Sequence, residues 1–459
     1  MKIVVINGSP SGNKGVTAQS VEYLRRQFGE HEFEVVEAAR RIRRLERDEA
    51  LFETTLAQMS DADAILWAFP VYVMLVPAQL KRFIELLFER GGEAALAGKV
   101  CSAISTSAHH YDHTAHDYLE AVSWDLGMTC THGFSAESAD LLTEEGRSNL
   151  LGFARDLFRR AAGEATIEAG PAPVVWNAAD FRPELTVGAS EHAEPGEGRI
   201  VVVSDAGPGD HNLRRMIDVF EQSVSEPVDR IELGELRMKG GCLGCMKCCD
   251  GDACVYKDDY QAVFDGQVKD ARVVIYAGAV RDRFLSARFK TFMDRFFYNG
   301  HRPVSSGQAV GYLISGPLQQ LPVLREFVEA HVEVGECHRI GIVTDEGGST
   351  AATATQLLAM ARTVDRWIEE PWFTPSTFRG VGARLNFRDL VYRNRGILSA
   401  DHRYYRAHGM YNYPQRDWSS RLFQAVALLV KRIPLLKKRV ERMMLQGRMR
   451  AYEQLAGTS

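Results

Sequence analysis

The sequence has little cysteine and no long apolar run, and each shortage removes a class of protein. Eight cysteines in 459 residues are too few for a disulfide scaffold. No window approaches the roughly 18 apolar residues that a membrane span needs. The start, MKIVVINGSP, lacks the basic and then apolar segments of a signal peptide. Because 45% of the residues are hydrophobic and 25% are charged, we expect a globular, cytoplasmic protein with reduced thiols.

Two common nucleotide-binding signatures are also missing, the Walker loop and the G-x-G-x-x-G fingerprint. Instead, the first apolar run opens into the turn Gly8–Thr17, GSPSGNKGVT, and a helical pattern follows. Small and hydroxyl residues at such a turn can form an anion site, because backbone N–H groups and the helix N-terminus point at one phosphate. The turn fits a mononucleotide with a single phosphate, and the alternative is a plain glycine-rich turn.

Short apolar runs alternate with amphipathic stretches in two successive series. Near-continuous apolar strands between helices indicate a parallel sheet that is covered on both faces. Five such units fit a doubly wound α/β sheet of the flavodoxin type, with its ligand at the carboxyl ends of the strands. We therefore predict two five-stranded parallel sheets. The strand candidates are Lys2–Gly8, Glu32–Glu37, Asp63–Tyr72, Lys99–Ser107 and Met128–Phe134, and then Arg199–Ser204, Val228–Leu233, Arg272–Ala279, Gln308–Ser315 and Arg339–Thr344.

The two series align as copies of one fold. Ile3–Val5 matches Ile200–Val202, and Ala78–Phe83 (AQLKRF) matches Ala287–Phe292 (ARFKTF) further along the chain. The second copy has gained residues between these two matches, in the interval that holds most of the cysteines. The predicted organisation is a first domain over 1–162, a linker rich in Pro, Gly, Ala and Glu over 163–198, a second domain over 199–370, and a basic, mainly helical extension over 371–459.

Five of the eight cysteines lie in the segment GGCLGCMKCCDGDACVYKDD. A C-x-x-C-x-x-C run lets three thiolates converge, and a fourth arrives a few residues later, which is similar to the spacing that holds a [4Fe–4S] cluster. Structural zinc usually needs two separated C-x-x-C pairs; zinc and a metal-free loop remain alternatives. Cys248 and Cys249 compete for one position, and the spacing favours Cys248. The predicted metal ligands are Cys242, Cys245, Cys248 and Cys254.

Two further loops of the first copy are suited to a planar ring. One places Tyr72 after a proline at the end of a strand, where its ring could line a flat cofactor. The other, STSAHHYDH, offers hydroxyls and imidazoles to the polar edge of such a ring. The predicted cofactor-binding residues of the three loops are Ser9, Ser11, Asn13, Val16, Thr17, Pro70, Val71, Tyr72, Val73, Ser105, Thr106, Ser107, His110 and Tyr111.

Through GSPSGN, FPVYVMLVPAQLKRF and STSAHHYDH, the first copy resembles the flavodoxin-like NAD(P)H-dependent FMN reductases. Through KGGCLGCMKCC and ACVYKDD, the second copy resembles the iron–sulfur flavoproteins of the same superfamily. The resemblance covers roughly residues 1–370. It implies FMN and a [4Fe–4S] cluster as cofactors and NAD(P)H as co-substrate. It assigns no catalytic acid or nucleophile, because the flavin carries the hydride chemistry and the protein supplies orientation and electrostatics.

The chain departs from the iron–sulfur flavoproteins by dividing the two features between its copies. In the second copy Gly8-Ser9 becomes Asp205-Ala206, PVY becomes AVR, and the carboxylates of Asp205 and Asp210 would repel a phosphate. We therefore expect a pseudo-dimer, with FMN in the first domain and the cluster in the second, that serves an unknown acceptor. The alternatives are an electron-transfer protein that does not oxidise NAD(P)H and a scaffold whose sites are relics.

The last part of the chain carries a basic excess. From Pro371 to Ser459 there are 17 Lys/Arg and 5 Asp/Glu, although the whole chain has a net charge of −5. Phe378–Trp418 mixes arginine with aromatic residues, and we expect it to pack on the acidic body rather than to bind nucleic acid. Leu422–Met444 has near-helical apolar spacing among basic residues. It is suited to docking on the core or on another subunit, or to peripheral contact with anionic lipid; the oligomeric state stays open.

Overall fold

A computed structural model of the chain describes residues 1–177, 179–183, 200–251, 253–418, 421–422 and 424–425. The chain divides into a large unit, Met1–Asp401, and a small unit, His402–Ser459. In the small unit the described residues include a 3₁₀ turn at Pro414–Arg416. Most of the predicted apolar and basic stretch Leu422–Met444, namely residue 423 and all residues from 426 onward, lies outside the described residues.

The first half of the large unit is built around a parallel sheet. Its strands are β1 (Lys2–Asn7), β2 (Glu32–Val36), β3 (Ala64–Pro70), β4 (Val100–Ser107), β5 (Thr129–Cys130) and β6 (Phe134–Glu137). Its helices are α1 (Val16–Gln27), α2 (Ala38–Arg47), α3 (Glu49–Ser60), α4 (Ala78–Glu89), α5 (Glu93–Leu96), α6 (Asp112–Asp125) and α7 (Glu144–Ala161). Side chains of β1 alternate between two cores, with Val4 and Ile6 on one face and Ile3 and Val5 on the other, so helices cover both faces of the sheet.

The second half repeats this plan. Its strands are β7 (Ile200–Ser204), β8 (Val228–Glu232), β9 (Val273–Arg281), β10 (Phe284–Leu285), β11 (Ala309–Ser315) and β12 (His338–Thr344). Its helices are α8 (His211–Ser223), α9 (Asp259–Val263), α10 (Ala287–Arg295), α11 (Pro322–Val334) and α12 (Thr350–Glu369), and α13 (Phe378–Arg393) and α14 (Ser399–Ala407) follow.

The strand orders confirm the predicted fold class. The first sheet runs β2-β1-β3-β4-β5 and the second runs β8-β7-β9-β11-β12, which is the flavodoxin order in both. Two details differ from the prediction. The fifth strand of the first sheet is split into β5 and β6, and between them Gly133 lies so close to the His116 ring that no Cβ would fit there. The short strand β10 adds an antiparallel partner to β9.

Part of the predicted linker crosses from the first sheet to the second without helix or strand. Gly170 packs directly on the ring of Trp124. Further along, Val175 and the side chain of Gln320 exchange two hydrogen bonds of 2.9 Å. Phe181 is buried in the core of the second half. None of the described helices is long and apolar enough to cross a membrane.

Candidate functional site

The three predicted ligand loops of the first domain meet at the carboxyl ends of β1, β3 and β4. Thr17 Oγ1 lies 2.9 Å from Thr106 Oγ1 and 3.3 Å from the carbonyl oxygen of Phe69. The Val71 N–H donates to the carbonyl of Thr106 at 3.3 Å. These strands are neighbours in the sheet, and this edge is where open α/β sheets bind ligands. The hydrogen bonds therefore join the three loops into one candidate site.

The turn between β1 and α1 leaves the first turn of the helix open. Its N-cap, Gly15, has no side chain that could accept from the first N–H groups of α1. The serine hydroxyls bond elsewhere: Ser9 Oγ accepts from the Ser11 N–H at 3.3 Å, and Ser11 Oγ donates to the Leu243 carbonyl at 3.3 Å. Ser9 therefore shapes the turn, and the first-turn amides of α1, including those of Val16 and Thr17, could hold an anion. The side chain of Asn13 is exposed beside them.

Tyr72 lies at the contact between the two domains. Its carbonyl accepts a hydrogen bond of 2.7 Å from Nζ of the buried Lys290, and its ring lies edge-on to Phe297 with the centroids 5.2 Å apart. The next residue, Val73, has a φ of 41°, a conformation that a β-branched residue rarely adopts. Burial, followed by the nearby Cys242 thiol, raises the pKa of Tyr72. The phenol is therefore neutral, and the second domain fixes the shape of this loop.

The loop after β4 has a strained backbone. His109 and Tyr111 have φ values of 54° and 52°, and such residues cluster at ligand sites. Ser107 Oγ accepts from the His109 N–H at 2.9 Å. The His110 ring packs against Phe387 with centroids 4.1 Å apart, and burial lowers the pKa of His110 to about 3. The imidazole is therefore neutral at physiological pH and could hydrogen-bond a ring edge.

Ser105, like Thr106, is buried, and its hydroxyl contacts a histidine beneath the loop. Its Oγ lies 2.8 Å from Nε2 of His116, and burial lowers the pKa of His116 to about 4. This pair of side chains supports the loop from below.

The corresponding turn of the second domain is occupied by its own carboxylates. Asp210, the N-cap of α8, accepts from the Gly207 N–H at 2.8 Å and pairs with Arg281 at 2.5 Å. Asp205 accepts a hydrogen bond from the Ser286 hydroxyl, and burial raises the pKa of Asp205 to about 6. The two acids therefore stand where the first domain offers open amides, and this charge disfavours a phosphate.

Burial raises the pKa of several thiols of the second domain. Burial raises the pKa of Cys242 to about 12, and the neighbouring Asp294, Cys248 and Cys245 add to the rise. Burial also raises the pKa of Cys248, with further contributions from Cys245 and Cys254. Within the described part of the chain, no group of three or more His, Cys, Asp or Glu side chains is placed to hold a metal ion. The donor set nevertheless fits an iron–sulfur cluster, because soft thiolates at this spacing are its usual ligands.

A buried ion pair joins the two ends of the cysteine loop, residues 240–259, and these joined ends form its neck. Arg295 is 1% exposed and forms hydrogen bonds of 2.8 and 2.9 Å to both oxygens of Asp258. The same guanidinium donates to the Gly240 carbonyl at 3.2 Å, and Asp258 accepts from the Lys239 N–H at 2.8 Å. The two ends of the loop are thus tied together. Asp258 is also the N-cap residue of α9, although its side chain makes no cap hydrogen bond and instead pairs with Arg295.

The cysteine loop lies directly on the candidate ligand loops of the first domain. Besides the bond from Ser11 to Leu243, Gln79 Nε2 donates to the Cys242 carbonyl at 3.2 Å. A side chain at Gly244, whose φ is 61°, would collide with the Tyr72 hydroxyl. The candidate ligand loops of the first half and the cysteine loop of the second half are therefore in direct contact.

Comparison with known proteins gives the class of fold and a family match for the first part of the chain. The strand order is that of a flavodoxin-like fold. Residues 1–139 match the family model of NADPH-dependent FMN reductase.

Two curated relatives are similar to parts of the chain. An "iron-sulfur flavoprotein" of Archaeoglobus fulgidus is 29% identical over 105 residues, which cover 22% of this chain and 47% of the relative. "FMN-dependent NADH:quinone oxidoreductase 3" of Pseudomonas fluorescens is 35% identical over 119 residues, which cover 23% of this chain and 58% of the relative. The chain thus spans about half the length of each.

Solved structures are similar to about a third of the chain. The apo form of an NADH:FMN oxidoreductase is 24% identical with a TM-score of 0.30, and the match covers 35% of this chain and 89% of that one. The flavoenzyme NAD(P)H:(acceptor) oxidoreductase FerB of Paracoccus denitrificans is 18% identical with a TM-score of 0.30, over 36% of this chain and 98% of that one.

Several residues at this site escaped the sequence reasoning. Lys290 and Asp294 clamp the Tyr72 loop from the second domain, and Phe387 reaches the His110 loop from the C-terminal extension. The repeat match of Ala78–Phe83 with Ala287–Phe292 includes Lys290, but it did not predict a contact with the Tyr72 loop. No signal in the sequence pointed to Phe387.

Proposed function

We propose that the chain is an NAD(P)H-dependent FMN oxidoreductase. In this proposal the first domain holds FMN, and the cysteine loop of the second domain holds a [4Fe–4S] cluster that serves an electron acceptor. The contact between Ser11 and Leu243 is the observation that carries the proposal, because it joins the family's phosphate turn to the thiol loop. The family match of residues 1–139 supports the flavin part.

Residues of the first domain have separate tasks in the proposed site. The first-turn amides of α1, near Val16, hold the phosphate of FMN, since the glycine N-cap leaves them open. Tyr72 and the neutral His110 orient the ring, the first by its flat face and the second by hydrogen bonding. The loops also exclude water from one side. FMN supplies the hydride-accepting chemistry when bound.

The proposed overall reaction balances when the acceptor takes up two electrons. NAD(P)H gives up a hydride and becomes NAD(P)⁺, and the acceptor takes up two electrons and two protons, one of which comes from solvent. No side chain of the chain is assigned as a proton donor. The proposed setting is the cytoplasm, and the proposed partners are a nicotinamide cofactor and an acceptor rather than nucleic acid.

Four cysteines are the proposed cluster ligands: Cys242, Cys245, Cys248 and Cys254. The C-x-x-C-x-x-C spacing places Cys248 in the set. The main chain of Cys249 is instead bonded to Met246 and to Ala400, at 3.1 and 3.0 Å. We expect Cys248→Ser to lose iron and Cys249→Ser to retain it, as measured by iron per chain after anaerobic purification.

Anaerobic stopped-flow mixing tests the enzymatic part of the proposal. The FMN-loaded chain is mixed with NADPH and, separately, with NADH, and the flavin absorbance is followed. Bleaching by at least one of the two is the expected result. If neither bleaches the flavin, the chain is an electron-transfer protein for a protein partner, and the reductase proposal fails.

A further inference from the structure

Helix α2 carries a dense group of exposed positive charges. Its ten residues, Ala38–Arg47, include five arginines and one carboxylate, that of Glu46. All five arginine side chains are exposed, and none of them pairs with a carboxylate in the part of the chain that the structure describes. Like charges three and four residues apart destabilise a helix, so this group does not serve the stability of α2. The arginines are Arg40, Arg41, Arg43, Arg44 and Arg47.

The arginines of α2 border both candidate cofactor sites. Arg40 lies against the phosphate turn, because a Cβ at Gly12 would stand 3.2 Å from its Cδ. Arg43 reaches the neck of the cysteine loop, because a Cβ at Gly240 would stand 3.6 Å from its Nη2. Gly240 precedes Cys242, the first proposed cluster ligand, by two residues. A partner bound to α2 would therefore lie close to both sites.

Two lysines extend this charge to the neck. Lys239 and Lys257 are exposed, and neither forms an ion pair with a described residue. The Lys239 N–H donates to Asp258, the residue after Lys257, at 2.8 Å, so both lysines stand at the neck. We call the five arginines and the two lysines the basic face. Nearby carboxylates already have partners, since Asp258 pairs with Arg295, Asp259 with Arg237 and Glu46 with Arg82.

The basic face suits an acidic protein better than a membrane or a nucleic acid. The apolar side chains of α2, such as that of Leu45, are buried, so the helix has no apolar face to insert into lipid. Exposed carboxylates of Glu49 and Glu53 follow directly on α3. They would repel a continuous polyanion, whereas a protein can place its own cations opposite them.

We propose that the basic face is the docking surface of an acidic electron-carrier protein. Opposite charges speed the encounter of two such proteins and orient them. A carrier takes up one electron at a time. Two carriers therefore react for each NAD(P)H, one electron goes to each, and the remaining proton goes to solvent, in contrast to an acceptor that takes up two electrons and two protons. This inference rests on the proposed cofactors, but not on NAD(P)H as their reductant.

The test follows electron transfer to an acidic c-type cytochrome, which serves as the probe. The full-length, cofactor-loaded chain is reduced with dithionite, freed from excess reagent by anaerobic gel filtration and mixed with the oxidised cytochrome in a stopped-flow instrument. The rate constant should fall about tenfold as the ionic strength rises from about 0.01 M to about 0.2 M, because salt screens the attraction. The double variant Arg44→Glu and Arg47→Glu should lower it about tenfold at low ionic strength.

The double variant Arg155→Glu and Arg159→Glu is the matched control. These exposed arginines lie on α7, which packs on the opposite face of the first sheet from α2. The net charge changes equally, but the basic face stays intact, so the control should keep at least about half of the wild-type rate constant. If the α2 variant reacts like the control, the inference is overturned.

Failure of the proposed function is distinguishable from failure of the docking surface. If NAD(P)H does not bleach the flavin but the two double variants differ as expected, the reductase part fails and the docking surface stands. If the chain takes up neither flavin nor iron, both fail.

A second measurement does not depend on electron transfer. Isothermal titration calorimetry at low ionic strength measures binding of the oxidised chain to the oxidised cytochrome, to phosphatidylglycerol vesicles and to duplex DNA. The α2 variant should bind the cytochrome at least about tenfold more weakly than the wild type and the α7 control do. Binding of vesicles or DNA that depends on Arg44 and Arg47, without such an effect on the cytochrome, would overturn the inference in favour of a membrane or a nucleic acid.

Discussion

The main-chain N–H of Ala78 donates to Oδ2 of Asp294 at 2.7 Å across the boundary between the two domains. The reverse contact is also present, since the Ala287 N–H donates to Oε1 of Glu85 at 2.6 Å. In the repeat alignment Ala78 matches Ala287, and Glu85 matches Asp294. Such reciprocity is the property of a two-fold interface between identical subunits. The single chain therefore keeps the geometry of a dimer.

Removal of the Asp294 carboxylate should strongly destabilise the protein. Lys290 and Asp294 are both fully buried and form an ion pair. Asp294→Ala leaves the buried ammonium without a carboxylate, with only the Tyr72 carbonyl as acceptor, and we expect the free energy of unfolding in urea to fall by about 3–5 kcal/mol. Asp156→Ala is the control, because it breaks the exposed pair with Arg160 and should cost less than about 1 kcal/mol. Equal losses in the two variants would contradict this interface.

Asp205 should make stability depend on pH. Burial raises its pKa to about 6 in the folded protein, above the usual value of 3.8. The folded state therefore holds this proton more tightly, and its stabilising effect is lost as the pH rises from about 4 to about 6. Relative to wild type, Asp205→Asn should gain stability over that window, by up to about 3 kcal/mol. Denaturation curves of both proteins at pH 4 and pH 7 measure the change; parallel curves would refute the prediction.

A carboxylate at the N-cap of α1 should abolish tight flavin binding. Gly15 occupies this position in the first domain, and Asp210 occupies it in the second. Gly15→Asp places a negative charge at the phosphate turn and should raise the Kd of FMN by about tenfold or more, as measured by fluorescence quenching. Gly15→Ala controls for crowding, since a Cβ there would lie 2.9 Å from Ser9 Oγ. If both variants bind FMN equally well, the phosphate does not lie at this turn.

The neck of the cysteine loop should matter for iron retention. Asp258→Ala leaves the buried Arg295 unpaired and frees both ends of the loop, so we expect at least about half of the iron to be lost on anaerobic gel filtration. Asp259→Ala is a close control, because Asp259 forms a similar two-oxygen pair with the exposed Arg237, at 2.8 and 2.9 Å. Exposed ion pairs contribute little to the stability of the fold, so the Asp259→Ala variant should keep its iron. Full retention by Asp258→Ala would show that the neck has no such role.

The regular strands could be predicted because continuous apolar runs dominate them. The run Lys2–Gly8 became the strand Lys2–Asn7, and Gln308–Ser315 became Ala309–Ser315. The split of the fifth strand was not predicted, and at the split Gly133 lies against the His116 ring. A local hydrophobic pattern does not predict which side chains from other elements will contact a strand.

The residues that join the two halves were also beyond the sequence reasoning. Lys81 and Lys290 stand on amphipathic helices, where lysine usually faces water, yet both are fully buried at the domain boundary. Asn386 contacts Ala108, 278 residues earlier in the chain. The loops and the cysteine spacing were visible because each is a local motif, whereas their meeting at Ser11 and Leu243 depends on how two domains pack.

Flavin, iron and sulfide measured per chain after anaerobic purification test the proposed division of cofactors between the two domains. We expect about one FMN, four iron atoms and four sulfides per chain, because the first domain has the open phosphate turn and the second has the thiols. Two FMN per chain would contradict the division between the domains, and a chain that takes up neither flavin nor iron would contradict the account as a whole.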